Sequence, residues 1–258
     1  MLLRSILPKS VQNVFIETWG IYSFSARFFK EVLKPPYNLN ELIRQFFQIG
    51  NKSLGLVGIT GFIIGFVLAL QAIPTLQPFG ATSLIPSMVG LGIILEIGPV
   101  ITGLICAGKI GSSIGAELGS MKVTEQIDAM EVSASNPFNY LVITRVIATT
   151  LMIPLLIIYA DMIALLGGYL AMNIVSDVSI GLYFSQVFDA LDIGSLIGPV
   201  IKTFFFGFTI GIVGCYKGYN ADKGTESVGV AANTSVVISS LMVIIWDMIA
   251  VQITNIIL

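Results

Sequence analysis

The stretch LGLVGITGFIIGFVLALQAI, residues 54–73, decides the class of this protein. It contains no charged residue, and a helix of about 20 residues at 1.5 Å per residue crosses the ~30 Å hydrocarbon core of a bilayer. Four further apolar stretches follow, at residues 86–107, 141–173, 196–216 and 230–258. The third is expected to be tilted or broken near Pro154, because proline interrupts helical hydrogen bonding. The sequence therefore predicts an all-α integral membrane protein with five membrane-spanning helices.

Composition supports a bilayer environment and argues against catalysis within this chain. Of 258 residues, 55% are hydrophobic and 11% are charged, whereas a soluble domain carries about 25% charged residues. Histidine, a common general base and metal ligand, is absent. The two cysteines, Cys106 and Cys215, have no metal or CxxC spacing and are expected to be buried apolar side chains. We expect no catalytic residue, no metal site and no nucleic-acid partner.

One segment nearly matches a nucleotide-binding P-loop. In GLICAGKI (103–110), Ile110 stands where a magnesium-binding Ser or Thr is required. The segment also ends an apolar helix instead of following a strand. We therefore expect no cofactor in this chain, and any ATP and magnesium must be bound by another protein.

The positions of lysine and arginine predict the orientation. Twelve of the thirteen basic residues fall on one side of a five-span chain: Arg4, Lys9, Arg27, Lys30, Lys34, Arg44, Lys52, Lys109, Lys122, Arg145, Lys217 and Lys223. The loops on the other side, 74–85 and 174–195, carry none. By the positive-inside rule the N-terminus is cytoplasmic and the C-terminus lies outside.

The first 52 residues are predicted to form an N-terminal region distinct from the five-span domain, residues 53–258. Residues 10–34 have helical apolar spacing with Trp19 and Tyr22 at headgroup depth, which predicts an amphipathic helix in the membrane interface, ended by Pro35 and Pro36. A second amphipathic helix is predicted to begin at Asn38, with Glu41 completing a capping box.

Four charged residues lie within the predicted spans: Glu96, Asp161, Lys202 and Asp247. Charges at membrane depth are costly and mark either a functional site or a buried pair. For Asp161 and Asp247 we favour pairing, for instance with Lys202. For Glu96 and Lys202 both interpretations stay open, and Lys202 could meet a lipid phosphate as a point charge.

The loop at residues 115–136 predicts one short amphipathic helix, at about residues 117–135, on the cytoplasmic side. Val123, Ile127, Met130 and Ala134 are spaced three or four apart. Its acidic residues would be repelled by anionic headgroups, so a protein partner is the better destination for the apolar stripe. The alternative is a connector that packs on its own bundle.

With these features the chain resembles the MlaE/YrbE permease family, the membrane subunits of MCE-associated lipid ABC transporters. The resemblance covers nearly the whole chain. It rests on LIRQF (42–46), GFVLALQ (65–71), EIGPV (96–100), AGKIG (107–111), AELG (116–119), EQIDAM (125–130), Pro137, Arg145, CYKG (215–218), GVA (229–231) and Asp247. One departure is Leu95, where the family often has Arg, so no role of that Arg carries over.

The resemblance implies a homodimer in the bacterial inner membrane that moves phospholipid. It implies a cytoplasmic ABC ATPase, an outer MCE-domain protein and a small STAS-domain protein as partners. The lipid pocket it implies contains Leu68, Leu76, Phe79, Glu96 and Lys202. The implied ATPase-coupling residues are Glu125, Gln126, Ile127, Asp128, Ala129, Met130 and Glu131. The main alternative is an ion-coupled secondary transporter or channel without an ATPase.

Overall fold

A computed structural model describes residues 9–35 and 38–257, and over these residues the chain is helical with five helices long and apolar enough to cross a membrane. We call them spans one to five: Leu39–Phe79, Thr82–Val123, Phe138–Ser176, Gly194–Tyr219 and Thr225–Thr254. The N-terminal helix is Lys9–Glu31, the loop helix is Gln126–Val132, and a further helix is Ile180–Asp189. The predicted all-α five-span architecture is confirmed. Arg4 and Pro36, used in the predictions above, lie outside the described residues.

The N-terminal region joins span one without a break. The second predicted amphipathic helix runs through a wider π-turn, Phe47–Asn51, into the apolar stretch, so residue 52 lies within one continuous helix. Two residues of its polar face, Glu41 and Gln45, are buried, and Glu41 accepts hydrogen bonds from Gln45 Nε2 at 2.7 Å and Tyr140 Oη at 3.3 Å. Leu39, Ile43 and Phe47 are exposed, as expected where the surroundings are lipid, whereas Leu42 and Phe46 pack against the main core.

The predicted capping box at the start of this helix is wrong. Asn38 is the residue before the helix, but its side chain makes no cap hydrogen bond. Its Nδ2 instead faces Asn139 Oδ1 at 3.5 Å, and Glu41 is engaged by Gln45 and Tyr140. Tertiary partners have therefore replaced the local cap.

Span three continues as a helix through Pro154, so of the two predicted alternatives, a tilt or a break, the break does not occur. In its most apolar stretch 67% of the residues are buried, against 11% in span five. A proline in a membrane helix is tolerated where neighbouring helices surround it. Span three is therefore the central helix of the bundle.

Glycines let two spans approach span three at backbone distance. A Cβ atom added at Gly65 would lie 1.8 Å from the carbonyl oxygen of Ala164, and one added at Gly167 would lie 2.3 Å from that of Phe62. A Cβ atom added at Gly207 of span four would lie 2.6 Å from the carbonyl oxygen of Thr149 in span three. Two pairs of glycines spaced four residues apart, Gly61 with Gly65 and Gly207 with Gly211, therefore serve packing within one chain.

Gly65→Ala is expected to destabilise the bundle by about 1–3 kcal/mol, because the added methyl group must push spans one and three apart. The matched control is Gly55→Ala in the same helix, where an added Cβ meets nothing within 4 Å. The measurement is the fraction of monodisperse protein after heating in detergent. Equal midpoints for the two variants would contradict the close approach.

Candidate functional site

Three spans meet at one buried lysine. Lys202 of span four is 3% exposed, and its Nζ forms ion pairs with Glu96 of span two and with Asp247 of span five, the latter at 2.8 Å. The same ammonium donates to the backbone carbonyl of Leu95 at 2.9 Å. We call Glu96, Lys202 and Asp247 the charged trio. The predicted pairing of Asp247 with Lys202 is thus present.

The local sequence explains why span two offers a carbonyl to Lys202. Pro99 has no N–H group, so it cannot donate to the carbonyl of Leu95 four residues earlier. Residues Ile93–Ile97 form a π-turn, a widened helical turn often found at functional sites. Lys202 supplies the hydrogen-bond donor that Pro99 cannot provide to the Leu95 carbonyl.

Glu96 is the accessible member of the trio. Its side chain is 42% exposed, against 16% for Asp247 and 3% for Lys202. With one cation between two carboxylates, Lys202 is held by charge-assisted hydrogen bonds on both sides. The arrangement can therefore present a carboxylate edge to a bound molecule while the ammonium stays fixed behind it.

Two cavities adjoin the trio. One, of about 260 Å³, is lined by Glu96, Lys202 and polar groups that include Ser195 and Thr254. The other, of about 340 Å³, is lined mainly by apolar side chains of spans four and five, such as Phe205 and Trp246. They share Gly198, Lys202, Ala250 and Thr254. A cavity with charged and hydroxyl groups and a mainly apolar cavity thus lie side by side, which suits an amphiphile.

Of the predicted lipid-binding residues, the structure brings Glu96 and Lys202 together. Leu68 and Leu76 are partly buried against a separate cluster that includes Ala69 and Ile73 of span one. Phe79, at the end of span one, is 82% exposed. These three apolar residues line neither cavity beside the trio.

The predicted ion pair of Asp161 is wrong for the part of the chain that the structure describes. Its Oδ1 is buried with no hydrogen-bond partner. Lys202 is already held between spans two and five. Asp161 lines a third cavity, of about 640 Å³, with Pro99, Phe184 and Thr203.

The loop at residues 115–136 divides into two helices. Span two continues to Val123, Glu125 adopts a left-handed conformation with φ 58°, and the loop helix Gln126–Val132 follows. The prediction of one helix over residues 117–135 is therefore corrected. Because the helix is interrupted at Glu125, the predicted apolar stripe is not continuous along one helix face.

Two residues of the predicted apolar stripe, Ile127 and Met130, pack on the bundle, as in the alternative considered above, whereas Ala134 is exposed. Ile127 is 0% exposed within the main core, and Met130 packs against that core. Lys122 Nζ donates to Asp128 Oδ1 at 2.7 Å, and Tyr219 Oη donates to Glu131 Oε1 at 3.4 Å. The stripe therefore anchors the loop helix.

The outward side of the loop, meaning the side that faces away from the helix bundle, is acidic and polar. Five of the seven predicted coupling residues are exposed there: Glu125, Gln126, Asp128, Ala129 and Glu131. Val132, which follows them, is 89% exposed. Val132 is not among the predicted coupling residues, although it lies five positions after the buried Ile127 and therefore on another face of the same helix.

Comparison with known proteins identifies the family. Residues 42–253 match the family described as permease MlaE. The chain is 40% identical over 232 residues, 90% of each chain, to a probable ABC transporter permease protein of Rickettsia prowazekii. It is 30% identical to one of Synechocystis sp., over 87% of this chain and 85% of the relative.

A more distant relative comes from a plant. The protein named trigalactosyldiacylglycerol 1, chloroplastic, of Arabidopsis thaliana is 30% identical, over 84% of this chain and 62% of its own length. The five spans and these matches agree on a multi-pass membrane protein. The chain belongs to the MlaE permease family and is the permease subunit of an ABC transporter.

Proposed function

We propose that this permease moves phospholipid between membranes. The observation that carries the proposal is the charged trio beside adjoining polar and apolar cavities. A phospholipid needs apolar walls for its tails and a few polar groups for its headgroup. Lys202 and Glu96 supply opposite charges to the headgroup, and the side chains of spans four and five supply the walls.

The plant relative gives the lipid proposal independent support. Its name is that of a lipid, trigalactosyldiacylglycerol. That lipid and a phospholipid share a two-tailed apolar part and differ in the headgroup. The proposal is that this chain handles the same kind of apolar part, and that its charged trio contacts the headgroup.

Energy for transport is proposed to come from a separate ABC ATPase, which binds the ATP and magnesium. The outward side of the loop helix, with Glu125, Gln126, Asp128, Ala129 and Glu131 exposed, is the proposed docking surface. Ile127 and Met130 would act beneath this surface by joining the loop helix to the core. Such a rigid connection would carry closure of the ATPase to the spans.

The remaining assembly is proposed from the family resemblance. We infer a homodimer in the bacterial inner membrane with its N-terminus cytoplasmic and its C-terminus periplasmic, in keeping with the basic residues. An MCE-domain protein would cover the outer face and a STAS-domain protein would join on the inside. Span five offers a surface for a second copy, since it exposes the apolar stripe Val237, Leu241, Ile244 and Met248.

Glu96→Gln tests the lipid proposal while keeping Lys202 paired with Asp247. We expect photocrosslinking to a phospholipid with a diazirine in its acyl chain to fall about five- to tenfold, which corresponds to about 1–1.4 kcal/mol of lost interaction. The measurement uses purified permease with its ATPase in vesicles.

Glu226→Gln is the matched control, because Glu226 is an exposed carboxylate in the first turn of the last helix. It should crosslink as the unaltered protein does. Undiminished crosslinking and ATP-dependent lipid movement in Glu96→Gln would remove the trio from the lipid path. Lipid movement without nucleotide would contradict the ATPase proposal.

A further inference from the structure

A small polar pocket lies between spans one and two, far from the charged trio. Its volume is about 110 Å³, and Lys52, Ser53, Lys109, Ser113 and Glu117 are among its lining residues. Lys109 lies 13 residues after Glu96 on span two, which is roughly 20 Å along a helix at 1.5 Å per residue. The pocket is therefore separate from the two cavities that adjoin Lys202.

Its charges are unbalanced towards the positive. The one carboxylate that lines it, Glu117, is held by Arg145 Nη2 at 2.9 Å, and Arg145 is itself buried. Lys52 and Lys109 have no ion pair with a described residue. The ion pair between Arg145 and Glu117 thus leaves the ammonium groups of Lys52 and Lys109 as excess positive charge.

The backbone fixes one of these ammonium groups at the pocket. Lys109 Nζ donates to the carbonyl oxygen of Lys52, so a lysine of span two is tied to span one. A lysine ammonium has three donors, so two stay available. Lys109 therefore has a built position and is more than a freely moving interfacial charge.

Both sides of the pocket are shaped by π-turns. Phe47–Asn51 immediately precedes Lys52, and Ala107–Gly111 contains Lys109. Such widened turns shift the side chains that follow and recur at functional sites. Ser53, which is buried, and Ser113 add hydroxyl donors to the same space.

We propose that this pocket binds a phosphate group, as carried by the headgroup of a membrane phospholipid. Ammonium and hydroxyl donors suit phosphate oxygens, and lysine binds phosphate as a point charge. A volume of about 110 Å³ holds a headgroup phosphate but not acyl chains. The chains would lie outside on the exposed apolar residues Ile43 and Phe47 of span one.

Basic pockets between membrane helices are known to bind anionic headgroups. Free inorganic phosphate shares the chemistry, so the test must distinguish the two sources. This inference is independent of the transported substrate, because it concerns a different place on the permease.

The test uses the full-length protein in a neutral detergent, with lipid binding followed by native mass spectrometry. Lys52→Gln/Lys109→Gln is expected to bind phosphatidylglycerol about tenfold more weakly than the unaltered protein. Diacylglycerol, which lacks phosphate, should bind weakly to both. Lys52→Arg/Lys109→Arg keeps the charges and should retain phosphatidylglycerol binding within about threefold.

The matched control is Lys30→Gln/Lys34→Gln, which removes two exposed charges outside the pocket. If Lys30→Gln/Lys34→Gln weakens phosphatidylglycerol binding as much as Lys52→Gln/Lys109→Gln does, the loss reflects the overall charge of the protein and the proposal is overturned. Equal binding of diacylglycerol and phosphatidylglycerol to the unaltered protein would also overturn it. Competition by inorganic phosphate at the lipid's own concentration would support the phosphate site but assign it to the free ion. If the glutamine double fails to fold, thermal stabilisation of the unaltered protein by phosphatidylglycerol but not diacylglycerol decides.

Discussion

Lys202→Met is expected to destabilise the permease by about 3–5 kcal/mol, the range for breaking a buried ion pair by removing one partner. The change leaves Asp247 and the Leu95 carbonyl without their shared donor, and Glu96 without its cation. Asp247 contributes most of the cost because it is 16% exposed, whereas Glu96 is partly open to its cavity. The expected result is loss of monodisperse protein after extraction in detergent.

A compensated variant separates electrostatics from packing. Glu96→Gln/Lys202→Met/Asp247→Asn removes all three charges together, and a neutral trio of similar volume should recover most of the lost stability. We would measure midpoints of thermal aggregation for the single and triple variants under the same conditions. A single variant as stable as the unaltered protein would show that Lys202 does not hold the three spans together.

Ile127→Arg is expected to unfold the loop helix and to lower the yield of folded protein. Ile127 is wholly buried, so an arginine there must bury an unpaired charge or force the loop away from the core. We expect a loss of about 3 kcal/mol or more, in line with other changes that place unpaired charge in a core. Protease cutting within residues 115–136 is the direct readout.

Ala129→Arg is the matched variant two residues later. Ala129 is exposed on the outward side of the loop helix, so the same added side chain meets solvent. The fold should persist, while association with the ABC ATPase in a pull-down should fall at least tenfold. Normal ATPase association in folded Ala129→Arg protein would remove this surface from the coupling proposal.

The contrast between Ile127 and Ala129 shows what apolar spacing in a sequence cannot predict. The spacing of Val123, Ile127 and Met130 predicted an apolar stripe, and the structure has Ile127 and Met130 in or against the core. Periodicity cannot say whether such a stripe meets its own bundle or another chain. The left-handed turn at Glu125 was not predicted, because no glycine or proline occurs between Lys122 and Ser133 to indicate it.

For the charged residues within the spans, too, the sequence indicates which residues matter, and packing decides which of them pair. Their cost in lipid identified Glu96, Asp161, Lys202 and Asp247 as residues that need an explanation. Which carboxylates reach the one cation depends on how spans two, three, four and five pack. Pro99 was the available signal, because it leaves the Leu95 carbonyl without a helical donor.

The lipid-binding and ATPase-coupling residues remain predictions. Leu68, Leu76 and Phe79 lie away from the trio within one copy of the chain. In the proposed homodimer, residues from two copies of the chain would line one pocket. The Glu96→Gln and Ala129→Arg experiments address the two sites separately.

The order of residues was enough to identify a five-span helical membrane protein that resembles the MlaE family of ABC permeases. Hydrophobic length and family motifs are local properties, readable without knowing what packs where. Helix packing determines that Glu41 faces inward, that Ile127 lies in the core, and that Lys202 joins Glu96 and Asp247 while Asp161 Oδ1 has no hydrogen-bond partner among the described residues. A polar group inside a bilayer needs a polar neighbour within the protein. Which neighbour comes within hydrogen-bond distance depends on how closely the glycine-lined spans pack.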